Sequence, residues 1–413
     1  MQGHQEHGRS TRYTLIALIF FGNILSYVDR QVLALLKPTL VAEFGWTDAQ
    51  FAHLGSVFTL VMAGSVLFAG LIVDKFGVRI AYGAAVGLWS LAGMAHAAAS
   101  SVGQFVLARA ALAATESVGG PATVKASAQY LPLKERSVGL GIISMAPNIG
   151  AVIAPLVVPL IAVTWGWKSA FLITGGLGFV WLVFWFRSTR ALAPSQETGT
   201  AAPSEPIAWG ELLRDKRTWA ITLTKALADM VFWFMLFWIP DLFSKVFQLG
   251  QAQIAGPIAL AYTMAALGAL AAGVLFPALL KSGLTVNAAR KLSMFAFAIL
   301  ILPVPLALDM PNEWLAAAII GLALFAHNGF VTNIFGLIAD VIPLKRVATV
   351  MAMSSVAGNL AGMGMIEFAG WSLTHGHGYL PMFAVASVAY LAATLLLQVM
   401  IPTLKIAESS EQR

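Results

Sequence analysis

Twelve stretches of about twenty mostly apolar residues constrain this chain more than any other feature. They lie near 13–36, 51–73, 79–99, 103–130, 138–162, 168–188, 218–243, 253–280, 288–308, 313–338, 346–373 and 379–401. Each is long enough to cross a bilayer as a helix. A helix satisfies its own backbone hydrogen bonds, which a hydrocarbon layer demands, and the alternating pattern of a barrel strand is not seen. The composition agrees: 59% of residues are hydrophobic and only 11% charged, with a mean hydropathy of +0.80. A soluble domain carries about 25% charged residues, so this chain needs lipid around most of its length. The expected fold class is an all-α membrane protein, with twelve transmembrane helices in two pseudo-symmetric six-helix bundles.

Basic residues orient the bundle. With the N-terminus inside, 18 of the 25 Lys and Arg fall in cytoplasmic segments, among them Arg9, Arg12, Lys75, Arg79, Lys134, Arg136, Lys345 and Lys405. Outside fall Lys37, Lys168 and Lys245; within spans fall Arg30, Arg109, Lys125 and Lys225. Positive-inside asymmetry of this strength places both termini in the cytoplasm of a multi-pass protein of the inner or plasma membrane. The polar start, MQGHQEHGRSTRYT, lacks the apolar core of a signal peptide. The one long break is rich in Pro, Ser, Thr and Gly and reads as a flexible linker. The domain reading is an N-terminal six-helix bundle at 1–188, a cytoplasmic linker at 189–217 and a C-terminal six-helix bundle at 218–413. Residues 209–219 suit a segment lying along the membrane surface.

Several chemistries are excluded early. No cysteine is present, so thiol catalysis and Cys-zinc sites are absent. No metal-ligand spacing or phosphate-binding loop is seen, so neither a metal nor an organic cofactor is expected. The net charge of +6 is dispersed, which argues against nucleic acid. A membrane enzyme lacks any nucleophile–base constellation.

Between the second and third spans stands Gly70-Leu-Ile-Val-Asp74-Lys75-Phe-Gly77-Val-Arg79. Glycine permits close helix contact and a tight turn, the acid can pair with a cation, and the basic residues hold the loop at the cytoplasmic face. This GxxxDKxGxR string resembles the signature loop of the major facilitator superfamily. The resemblance implies two six-helix halves that rock about a site near the midplane between them. Gly70, Asp74, Lys75, Gly77 and Arg79 are the expected gating loop. The corresponding stretch in the second half, Gly273 to Arg290, has Pro277 where the acid would stand, so gate charges are expected mainly in the first half.

Ionisable residues inside a membrane are costly and usually functional. In the first span Asn23, Tyr27 and Arg30 share one helix face, with Asp29 beside them; in the fourth, Arg109 and Glu116 share another. Counting about 1.5 Å of rise per residue puts Asp29 and Arg109 at similar depth. An Asp29–Arg109 ion pair is therefore expected, with Glu116 deeper and Arg30 turned to the cavity. Arginine offers a planar, bidentate match to a carboxylate. A buried acid near arginines suits proton binding and release, so Glu116 is the first candidate for coupling and Asp29 the second, with Arg109 as partner.

The segment Ser26-Tyr27-Val-Asp29-Arg30-Gln31, running on to Leu40, is similar to the first-span signature of the anion:cation symporter family in its hexuronate branch. Glu43–Trp46, Gly150–Pro155, Phe237–Pro240, Ala326-His327 and Asn333 extend the similarity across both halves. The resemblance implies proton-coupled import of a small organic anion such as glucuronate or galacturonate. It implies that Tyr27 and Arg30 touch the anion and that protons serve as coupling ion. It also implies departures: Met62, Thr59, Met235 and Phe330 stand where relatives carry Tyr, Gln, Tyr and Trp. Fewer hydroxyl and indole donors mean fewer hydrogen bonds to a polyol and favour a less hydroxylated aromatic or short-chain carboxylate, an alternative that stands behind a hexuronate.

The second half offers further candidates. Lys225, Asp229 and Trp233 form a stripe on the seventh span; Asn333 and Asn359 could donate to sugar hydroxyls or bridge helices. The expected substrate-binding set is thus Arg30, Tyr27, Asn23, Asn333, Asn359 and Trp233. His327 reads as a helix-bridging histidine, His53 as a solvated rim group, and Glu367 has no evident partner. A proton-antiporting exporter and a transport-dead receptor or scaffold remain as alternatives. The expected partners are an organic anion, protons and lipid, with the chain a monomer.

Overall fold

Apolar runs in lipid have one economical solution, and the chain adopts it. A computed structural model describes residues 2–131, 133–190 and 209–404. Among them lie fourteen α-helices and no strand. Most of the expected linker, 191–208, falls outside the described residues, as do Lys405 and Arg413 and the side chains of Arg9, Arg12, Lys134, Arg136 and Lys345.

In chain order the first helices are α1 (Gln2–Leu35), α2 (Lys37–Phe44), α3 (Asp48–Ala95), α4 (Val102–Glu116), α5 (Gly119–Tyr130), α6 (Leu133–Trp165) and α7 (Trp167–Arg190). A short α8 (Trp209–Arg214) leads into α9 (Lys216–Val246), α10 (Ala255–Lys281), α11 (Val286–Leu300), α12 (Glu313–Val341), α13 (Leu344–Thr374) and α14 (Leu380–Met400). Ten described segments are by themselves long and apolar enough to cross a bilayer. One of these, 51 residues long, turns at Gly77 (φ +74°, ψ 155°) and contains two crossings. The helices α4 and α5 make one further crossing in two pieces, giving the expected twelve.

Local sequence explains the ends and breaks. Oxygens of Ser101, Asp215, Thr285 and Asn312 accept from backbone N–H groups in the first turns of α4, α9, α11 and α12, satisfying donors that a helix start leaves open. The α4/α5 break follows from Gly119-Gly120-Pro121. Proline lacks the N–H that would bond the carbonyl of residue 117, and its ring crowds that carbonyl. Irregular backbone at membrane depth is tolerated where it is buried in protein or lines a cavity.

The chain divides into two compact units. The first holds Met1–Gly45 and Gly64–Ser204; the second holds Trp46–Ala63 and Glu205–Arg413. The first half of α3 falls in the second unit although it precedes the linker. The reason is packing: Phe51 stacks on Phe237 with centroids 4.7 Å apart, and Lys245 Nζ lies 2.8 Å from Asp48. A Cβ at Gly370 would stand only 2.4 Å from that of Ala52. In the first unit α1 lies against α6 at Gly150, where a Cβ would come within 2.9 Å of Ile24 O and of Tyr27 Cβ.

Candidate functional site

The first unit gathers its intramembrane charges where α1 meets the end of α4. Arg30 Nε donates to Glu116 Oε2 at 2.6 Å, and Arg109 Nη2 donates to the Arg30 carbonyl at 3.3 Å. This goes beyond the expected Asp29–Arg109 pairing. Arg30 is the described ion-pair partner of Glu116 rather than turned wholly to a cavity, and Arg109 bears on Asp29 and Glu116 through its charge. Arginine's reach exceeds a helical turn, so a depth estimate from span ends cannot separate neighbouring acids. The Arg30 side chain keeps 20% exposure, whereas Glu116 has none. The other Glu116 oxygen, Oε1, and Gln31 Nε2 are buried with no hydrogen-bond partner among the described residues. Breaking a buried ion pair by removing one partner costs about 3–5 kcal/mol, so Arg30 will hold Glu116 until another anion replaces it.

Tyr27 and Asn23 complete this face. The Arg30 guanidinium carbon lies 5.3 Å from the Tyr27 ring centroid, within cation–π range. Asn23 Nδ2 donates to the Ile19 carbonyl at 2.8 Å and to Thr123 Oγ1 at 3.3 Å, tying α1 to α5. Thus Tyr27, Asp29, Arg30, Arg109 and Glu116 are brought together as one cluster, with Asn23 on the same face of α1 bonded to α5.

The expected gating loop is built differently at each residue. Asp74 Oδ1 accepts from Lys125 Nζ at 2.6 Å, an exposed pair. Gly77 supplies the turn with its positive φ. Arg79 Nε donates to Thr189 Oγ1 at 3.2 Å, and its carbonyl accepts from Trp185 Nε1 at 3.0 Å. Lys75 lies over Phe76. Gly70 makes no close helix contact: a Cβ there would meet nothing within 4 Å.

In the second unit, Lys225 and Asp229 of α9 form an ion pair with side-chain exposures of 9% and 13%. Trp233 lies one turn on. Helix α13 meets this stripe with Gly358 and Gly362, whose added Cβ atoms would fall 2.1 Å from Asp229 Oδ2 and 2.4 Å from Trp233 Cδ1. Asn359 Nδ2 donates to Ser355 O at 2.8 Å, while its Oδ1 is buried without a hydrogen-bond partner among the described residues. His327 bridges helices as read: its Nδ1 is 2.7 Å from the Tyr390 hydroxyl. That hydroxyl donates to the Ala228 carbonyl at 3.1 Å, so the histidine nitrogen supplies the proton of their shared bond.

Asn333 makes its bonds to α11 and to its own helix α12. It is buried, donates to Ser293 Oγ at 3.0 Å and Gly329 O at 2.9 Å, and accepts from Arg290 Nη1 at 3.3 Å. Arg290 in turn donates to Asp340 Oδ2 from two nitrogens, at 2.7 and 3.1 Å, under the Phe276 ring at 3.5 Å. The second half therefore has a buried charge cluster although its loop lacks an acid; Asp340, fifty residues on, supplies it, and no local motif signals that. Glu367, left without a partner by the sequence, is 2.6 Å from His53 Nδ1 on the first half of α3. Thr59, Met62, Met235 and Phe330 are all buried.

Membrane-crossing helices that bury fixed cations beside titratable acids are the build of a membrane transporter. The chain belongs to the Major Facilitator Superfamily, whose model matches residues 19–365. Among similar proteins, the hexuronate transporter of Escherichia coli K12 is 27% identical over 421 residues, covering 97% of each chain. The galacturonate transporter of Dickeya chrysanthemi is 28% identical, covering 60% of this chain and 76% of its own. A crystal structure of a bacterial homologue of the human lysosomal transporter Spinster superposes with a TM-score of 0.73 at 17% identity, covering 95% of this chain and 96% of the other. The family and these relatives are transporters and not enzymes, and this chain is a multi-pass cell-membrane transporter.

Proposed function

We propose that the protein imports a small organic anion together with protons, and that the anion is a hexuronate or a closely related sugar acid. The observation that carries this reading is the Arg30–Glu116 pair. An anionic substrate and Glu116 compete for one guanidinium. A proton on Glu116 neutralises the protein carboxylate and frees Arg30 for the substrate carboxylate, so proton and anion favour the same state. That mutual preference is what coupling requires. Asp29 is the second proton-accepting candidate, and Arg109 steadies both acids by its charge. Tyr27 supplies a ring face beside Arg30, and Asn23, two turns back on the same face of α1, an amide, suited to a sugar acid's carbon face and hydroxyls. Similarity to hexuronate and galacturonate transporters supports the substrate class. The distribution of basic residues supports cytoplasmic termini, and alternating access follows the superfamily.

Purified protein in liposomes tests the reading. Under an inward proton gradient, labelled glucuronate should accumulate above its equilibrium level, and a protonophore should abolish the excess. Arg30→Ala should bind no carboxylate. Absence of uptake with an intact fold, or export driven by the same gradient, overturns the proposal.

A further inference from the structure

The second unit holds a cation that the reading above does not use. Lys225 and Asp229 sit near the middle of the 31-residue α9, where a structural ion pair is a poor investment. Replacing a buried pair by apolar residues is often neutral or stabilising, and lysine four residues before aspartate is the weaker order for helix stability. The surroundings are those of a site instead. Asp229, Trp233 and Asn359 all retain partial exposure. Gly358 presents bare main chain to the Asp229 carboxylate. One residue on, Asn359 Oδ1 is a buried acceptor still lacking a donor, matched to a hydroxyl or to a protonated carboxyl.

Among the described residues, the other groups packed against α9 supply no competing charge. Helix α13 brings Gly358 and Asn359, neither titratable, and its Glu367 pairs with His53 more than two turns away. From α12 come His327 and the Phe335 ring, 5.8 Å from Lys225 Nζ; from α14 comes Tyr390, bonded to His327 and to α9 itself. Lys225 and Asp229 act electrostatically on His327 and Tyr390 respectively. The first half of α3 brings Phe58 to Trp233, and its Asp48 joins Lys245 far along α9. Helix α8 meets only the Lys216 end, through Trp219.

We propose that Lys225 is a carboxylate-binding group of the second unit, held closed by Asp229 and opened when Asp229 takes a proton. The balance is simple: one proton converts the Asp229 carboxylate to a neutral carboxyl, and the single carboxylate of the transported acid, in a step separate from its pairing with Arg30, takes its place beside the ammonium. The local charge is zero before and after. This inference rests on the proposed anion import but names a separate pair, so the two can fail separately.

Glucuronate binding to purified full-length protein, measured calorimetrically from pH 5.5 to 8, tests it. Asp229→Asn mimics the protonated state and should bind at least tenfold tighter than wild type at pH 8, with a shallower pH dependence. Lys225→Gln, and the double change Lys225→Gln with Asp229→Asn if either single variant misfolds, should bind at least tenfold more weakly. A merely structural pair would lower thermal stability without altering the pH profile. Unchanged affinity and pH profile in folded variants, while Arg30→Ala abolishes binding, overturns this inference and leaves the import reading standing. If wild type binds no glucuronate, or Arg30→Ala binds as wild type, the import reading fails first and this one with it.

Discussion

Replacing Glu116 by glutamine removes one negative charge and little else, and its outcome follows from the competition at Arg30. In wild type at a pH where Glu116 is ionised, a substrate must displace a charge-assisted hydrogen bond of 2.6 Å. Such a bond is worth about 1.5–3 kcal/mol net, against roughly 1 for a neutral one. Glutamine can still accept from Arg30, so the competitor weakens by about 1–2 kcal/mol, which is roughly five- to thirtyfold in affinity. The fully buried acid and the 20% exposed arginine set the scale: water reaches the cation and trims the cost of leaving it unmatched. Glu116→Gln should therefore bind glucuronate about tenfold tighter at pH 7.5, lose much of the wild-type gain in affinity on acidification, and keep counterflow exchange while losing proton-driven accumulation. Calorimetry and liposome flux read all three. Weaker binding with an intact fold would refute the competition, because it would mean that Glu116 holds Arg30 ready for substrate instead of blocking it.

Other perturbations read other parts of the molecule. At Gly336 a Cβ would come 2.4 Å from Arg290 Nη1, so Gly336→Ala should push Arg290 off Asp340 and Asn333 and cost about 1–3 kcal/mol, seen as a lower melting temperature. Burial works to raise the Asp215 carboxyl, but hydrogen bonds from the Arg217 side chain and backbone outweigh it and hold the group below its usual range. A carboxyl depressed in the folded state stabilises at pH above its unfolded value and loses that contribution as pH falls. Asp215→Ala, which also removes the cap of α9, should thus cost about 1 kcal/mol at neutral pH, and the gap to wild type should narrow below about pH 4. Asp74→Asn breaks a pair whose side chains are 70% and 36% exposed; it should change stability by less than about 1 kcal/mol, while a slower transport rate in liposomes would mark the loop as part of the gate.

The twelve crossings were legible because a long apolar run in lipid has few alternatives; the break after Glu116, at Gly119-Gly120-Pro121, went unread inside a run that reads as one span. The residues of the first-unit cluster were legible too, since a charge inside such a run needs a reason. The Arg30–Glu116 pair was not. Asp29 and Arg30 are neighbours in sequence, and a long guanidinium picks between acids by tertiary geometry. Partners separated by a fold rather than a turn escaped in the same way: His53 with Glu367, Arg290 with Asp340, and Tyr379, whose hydroxyl donates to Asp241. Asn333 shows the converse limit. An amide in a span reads equally as ligand contact or helix bridge, and only its full set of bonds to Ser293, Gly329 and Arg290 distinguishes them.

Formal charges cancel within each cluster: Asp29 and Glu116 against Arg30 and Arg109, Asp229 against Lys225. Membrane voltage, worth about 2.3 kcal/mol per elementary charge per 100 mV, then has no net charge to pull when the unloaded carrier resets. Under the proposed import, a monovalent acid carried with one proton is equally silent. Any steady current must come from protons in excess of the anion's own charge, so charge moved per sugar acid delivered counts them directly.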